Sequence, residues 1–210
     1  MTRKIATRGQ KHSKSIAVIG EGITEQYYLL SLKGVIGAQI EPKLPKHSTG
    51  MQYLKEEIEK CIAAGYSHVY CLIDMDNKGE GKNKTHYIRL KEKYHNQTVS
   101  KPKEGIKCKI IFFENERCLE LWFLYHFKYT TALYPTSDVL TKELNTLCGY
   151  QKTEKFFLST KGGLHRLLLK HGGDFDKAKI NAAKSLQTKE EDNREYTYSE
   201  MSNFFKMLAD

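Results

Sequence analysis

Apolar positions along this chain follow two rhythms, and the switch between them predicts the order of elements. Residues 16–19 (Ile-Ala-Val-Ile) form an unbroken apolar run that stops at Gly20-Glu21-Gly22-Ile23-Thr24-Glu25. This predicts a buried strand, a tight turn, and a helix capped by Thr24 that continues over 26–33 with Tyr27, Leu30 and Leu32 and stops at Gly34. Residues 35–44 alternate weakly around Pro42, with Pro45 just beyond, which suits an edge strand. Ser48-Thr49 opens a helix to about residue 64, with Met51, Leu54, Ile58, Cys61 and Ile62 at helical spacing and Gly65 as its stop. A second apolar run, 69–73 (Val-Tyr-Cys-Leu-Ile), ends in Asp74-Met75-Asp76-Asn77. A glycine-rich basic loop (77–85), a helix (85–94), a polar connection (96–105) and a strand (106–113) follow. Strands alternating with helices argue an α/β fold with a mostly parallel sheet flanked by helices.

The pattern changes after this. Residues 117–127 read as one very apolar helix containing a single acid, Glu120. A carboxylate there is costly to bury charged, so it stands on an exposed stripe or pairs with a cation or metal, with Arg117 the nearest candidate. His126, four residues past Trp122, reads as a packed core histidine and is a second-line site candidate. The rest reads as helices over 138–148, 153–171 (interrupted at Gly162-Gly163), 174–186 and 199–208, a C-terminal helical region from 131 to 210 packed on a core from 16 to 130. Residues 1–15, with Arg3, Lys4, Arg8, Lys11, His12 and Lys14, read as a flexible basic arm and not as a secretory signal.

Composition narrows the function. In 210 residues the net charge is +9, which favours a polyanionic partner such as nucleic acid. The five cysteines show no paired metal spacing, and an odd number cannot pair off completely, so reduced thiols in the cytoplasm are expected. No run approaches the roughly 18 apolar residues of a membrane span. If the strands ending before Glu21 and at Asp74 are neighbours in a parallel sheet, Glu21, Asp74 and Asp76 gather at the edge where open α/β sheets bind ligands. Clustered carboxylates of this kind suit Mg2+ or Mn2+.

Glu21-Gly22-Ile23-Thr24-Glu25 resembles the glutamate motif of Toprim domains, the magnesium-dependent core of topoisomerases, primases and OLD-family nucleases, and Asp74-Met75-Asp76 resembles their DxD motif. Cys118, Glu120-Leu121-Trp122 and His126-Phe127 resemble the signature of the RloB-like family, Toprim-related proteins encoded near restriction and phage-defence genes, often beside an ABC-type ATPase. The resemblance covers about 16–127; Glu114-Asn115-Glu116-Arg117 replaces that family's usual Ser-Asn-Pro, and Asn193-Arg194-Glu195 is a degraded form of its C-terminal Asn-Pro-Ser/Thr.

The resemblance implies a Toprim-like core and a metal-dependent nuclease of antiviral defence, cleaving phosphodiester bonds of RNA or DNA with an ABC-type ATPase as partner. Glu21, Asp74, Asp76 and Glu120 are then the catalytic and metal-binding residues, with Glu21 a ligand or general base. Lys78, Lys82 and Lys84 are the nucleic-acid-binding lysines, Glu25 a second-line acid facing outward, and Asn77 a further second-line residue. A haloacid-dehalogenase-like phosphatase fits poorly, since Lys78 stands where Thr or Val is wanted. A dinucleotide fold fits poorly too, since Glu25 takes a glycine position. The remaining alternative is a non-catalytic nucleic-acid-binding or regulatory subunit.

Overall fold

The computed structural model describes residues 15–37, 39–43, 50–76, 78, 81–192 and 196–209. The basic arm through Lys14, the proline at 45, Ser48-Thr49, Asn77, Gly79 and 193–195 lie outside the described residues.

The two apolar runs and the strand expected over 106–113 become the three central strands of one sheet: β1 (Ile16–Ile19), β3 (His68–Asp74) and β5 (Ile106–Asn115). Their β-branched and aromatic residues favour strands that must be buried on both faces. The outer strands are β2 (Ile40–Lys43) and β4 (Thr98–Lys101), giving the order β2-β1-β3-β5-β4. All neighbours run parallel except β4, which pairs antiparallel with β5. Strand β4 lies inside the expected polar connection. Its sequence, Thr-Val-Ser-Lys, is mostly exposed and offers no apolar stripe to read.

Side-chain alternation divides the core. Ala17, Ile19, Cys71, Ile73, Ile110 and Phe112 face one side, packed by α2 (Met51–Ala63) and α3 (Gly81–Tyr94). Val18, Tyr70, Leu72, Ile111 and Phe113 face the other, covered by α1 (Ile23–Ser31), α4 (Glu120–Tyr125) and the C-terminal helices. Those are α5 (Ser137–Cys148), α6 (Glu154–Ser159), α7 (Gly163–Lys170), α8 (Phe175–Asp192) and α9 (Met201–Ala209). Every residue of α4 is buried, which is why the sequence shows no polar stripe to mark its ends and overextends it to 117–127. Trp122 sits at its middle, and its Nε1 donates to Tyr28 Oη at 2.6 Å.

The expected break at Gly162-Gly163 separates α6 from α7 for a packing reason. Gly163 has φ of +78°, and a Cβ there would lie 2.5 Å from Ser31 Cβ, so glycine lets α7 press against α1. All five cysteines are buried and free. Among the described residues no helix is long and apolar enough to cross a membrane.

Candidate functional site

Strand order decides where the acids meet. The chain leaves β1 for β2 on one side and returns to β3 on the other, so the carboxyl ends of β1 and β3 flank the switch point of the sheet. Glu21 follows β1, Asp74 ends β3, and β5, registered so that Asn115 faces Asp74, leads into α4 with Glu120 at its first position. The loops after β3 and β5 are stitched together. Met75 N donates to Asn115 O at 3.1 Å, Asp76 N to Arg117 O at 3.0 Å, and Arg117 to Asp76 O at 3.2 Å and Tyr134 O at 2.8 Å. Arg117 is thus spent on backbone carbonyls. The expected Arg117–Glu120 pair is replaced by one between Glu120 and Lys152, at 3.0 Å.

Glu120 is fully buried, and its two oxygens differ. Oε1 accepts from Tyr150 Oη at 2.8 Å, from Thr24 Oγ1 at 3.2 Å and from Lys152, whereas Oε2 is buried without a hydrogen-bond partner. Burial pushes the carboxyl up, but Lys152, Cys118 and Tyr150 outweigh it and hold it below the usual range. Thr24 therefore serves the site rather than capping α1; the cap position is Gly22.

Glu25 is also corrected: it does not face outward but is 2% exposed. Its Oε2 accepts from Gly22 N at 2.9 Å, closing the turn after β1 and folding the acid inward. Burial first, then the neighbouring Glu120, push Glu25 up to about 7. Asp74 accepts from Leu119 N at 3.0 Å and is driven well above the normal range by burial and then by Glu25, Glu120 and Glu21. Burial raises Glu21 too, against the pull of Lys78. Asp76 lies near enough to add to that rise.

The lysine expectations divide. Lys82 and Lys84 stand exposed on the first turn of α3, whereas Lys78 is 5% exposed and bound inward, 2.7 Å from Glu21 Oε2. As placed, Lys78 holds a carboxylate and not a phosphate. Tyr150 is a site residue that sequence reasoning missed, and Lys152 is there only one of several C-terminal basic residues that could face the site, none singled out. A buried acid in an apolar helix demands a cation, but nothing local shows that it comes from 32 residues downstream.

His126 is away from this chemistry, as a packed core residue should be. It is fully buried, with Nδ1 donating to Trp122 O at 3.0 Å and its ring 4.9 Å from that of Trp122. Burial, above all, lowers it to about 4. A histidine depressed below its unfolded value contributes stability that is present above pH 6.5 and lost as pH falls toward 4. From pH 7.5 to pH 5 this residue should cost wild type about 2 kcal/mol, a slope absent from His126→Gln in urea unfolding at both pH values.

Among the described residues no three His, Cys, Asp or Glu side chains are drawn close enough to form a ready-made metal site. The donor set nevertheless fits a hard divalent cation. Glu21 Oε1 and Glu120 Oε2 are buried without partners, and Asp74 stands among like charges that such a cation would neutralise.

No curated protein and no solved structure matches the chain. The model of the RloB-like protein family matches residues 16–210, so the likeness continues past residue 127 through the C-terminal region, where the connection between α5 and α6 brings Tyr150 and Lys152 to the site. With that match over nearly its whole length, the chain belongs to the RloB-like family.

Proposed function

We propose that this protein is a metal-dependent nuclease, with a Toprim-like core whose carboxylate edge hydrolyses phosphodiester bonds of RNA or DNA. The observation that carries the reading is the pair of bare, buried carboxylate oxygens on Glu21 and Glu120, either side of an Asp74 that burial and like charges hold far from its ordinary state. Acids left this way cost stability, and a reaction at the site is a reason to keep them.

Glu21, Asp74, Asp76 and Glu120 are the residues that would hold Mg2+ or Mn2+. When bound, such an ion supplies positive charge to phosphate oxygens and lowers the pKa of a coordinated water. The chain's own groups do the rest. Tyr150, Thr24 and Lys152 fix Glu120 from one side, so that its free oxygen keeps one direction. Glu25, poised at about 7, is the carboxyl here best matched to taking a proton at neutral pH. Lys82 and Lys84, exposed beside the edge, offer charge to flanking phosphates, in keeping with the net charge of +9. Family resemblance extends the reading to antiviral defence in the cytoplasm, beside an ABC-type ATPase.

A second reading has one observation in its favour. Lys78 and Lys152 already occupy one oxygen each of Glu21 and Glu120, as in a silent site that only binds nucleic acid. Incubation of the protein with total RNA, plasmid and single-stranded DNA separates the two. A nuclease cleaves at least one of them with Mg2+ or Mn2+, not with chelator, and not as Asp74→Ala/Asp76→Ala. Salt-sensitive binding without cleavage supports the silent module.

A further inference from the structure

The two lysines at the acid edge are held differently. Lys152 keeps a side chain that is 39% exposed, and Glu120 has Tyr150 and Thr24 as further donors on the same oxygen. Lys78 is buried, with its ammonium on Glu21 Oε2 and on the carbonyl oxygen of Asp74. Among the described residues Lys78 is the side chain that donates to Glu21, and Glu21 Oε1 is left bare.

A buried ammonium is itself expensive, and here it answers only half of one carboxylate. At this edge the carboxyls of Glu21, Glu25, Asp74 and Glu120 repel one another, and the ammonium groups that answer them are Lys78, on Glu21, and Lys152, on Glu120. A divalent cation that took the Glu21 carboxylate would answer its bare Oε1 as well as Oε2, which the ammonium does not. It carries twice the charge and takes several oxygen ligands at once, whereas an ammonium has three hydrogens to give.

We propose that Lys78 is a tethered, exchangeable counter-ion: its ammonium neutralises Glu21 until a divalent cation takes that carboxylate, and the exchange releases the ammonium toward solvent and substrate phosphate. This rests on the metal-site reading above. Lys78 then serves both places that the residue invites, holding the carboxylate without metal and meeting the polyanion with it.

Two measurements on the full-length protein test this without reference to cleavage. The first is acetic anhydride labelling of wild type, read residue by residue by mass spectrometry. Lys78 should label slowly in chelator and at least about tenfold faster in saturating Mn2+, while Lys82 and Lys84 label alike in both. The second is calorimetric titration with Mn2+, where Lys78→Met, having no competing ammonium, should bind about tenfold more tightly than wild type. If both proteins bind Mn2+ equally and Lys78 stays protected when metal is saturating, the exchange is wrong and the metal site stands. If neither binds Mn2+, the metal-site reading falls and the exchange with it.

Discussion

Asp74→Asn should be more stable than wild type and inactive. The substitution keeps the oxygen that accepts from Leu119 N at 3.0 Å and removes the charge. Asp74 is driven well above its normal range by burial and by Glu25, Glu120 and Glu21. A carboxyl raised on folding contributes stability at low pH that is lost as pH climbs past its unfolded value near 4, because the folded state holds the proton more tightly. The advantage of Asp74→Asn should therefore grow from pH 4 toward neutrality, to about 1 kcal/mol in urea unfolding with chelator present. Added Mn2+ should erase it, since the cation stabilises wild type alone. Cleavage should fall about a thousandfold, as expected when charge facing a developing transition state is removed. A variant that is less stable at neutral pH, or that cleaves normally, contradicts this account of Asp74.

Trp122→Ala should have the largest effect on stability, about 3 to 5 kcal/mol, the usual cost of emptying a buried aromatic site. The indole is fully buried, its centroid lies 5.3 Å from that of Phe205 and 5.9 Å from that of Phe175, and its N–H holds Tyr28. It therefore joins α4 to α1, α8 and α9 at once. For a domain of this size the thermal midpoint should drop by about 10 °C or more. Because Glu120 opens the same helix, the loss reaches the acid edge as well. Trp122→Phe keeps much of the volume and loses the N–H, so it should cost about 1 to 2 kcal/mol. A midpoint unchanged in Trp122→Ala contradicts the packing described here.

What the sequence reveals of this fold follows burial. The three central strands are legible because burial on both faces forces apolar runs, unbroken over 16–19 and 69–73 and alternating with Lys107 and Lys109 before Ile110 in β5, and the edge position of β2 is legible through Pro42. β4 is not, because an exposed edge strand needs no apolar stripe. Of the site, Glu21, Asp74 and Glu120 stand where strand order predicts them, at the ends of neighbouring strands. Glu25 was misplaced because a helical wheel says nothing of a side chain that turns back to cap its own helix. The partners of the acids were hidden for a different reason. Lys152 meets Glu120, and Lys78 meets Glu21, only after the chain has folded. The need for a cation beside Glu120 is written in its apolar neighbours; which cation answers it is a matter of tertiary structure.

If these acids form one divalent-cation centre, crystals soaked in Mn2+ reveal it through anomalous scattering, with a peak expected within about 2.5 Å of oxygens from Asp74 and at least one of Glu21 and Glu120. Well-occupied crystals with no peak at this edge, or with manganese bound only elsewhere on the molecule, would contradict it.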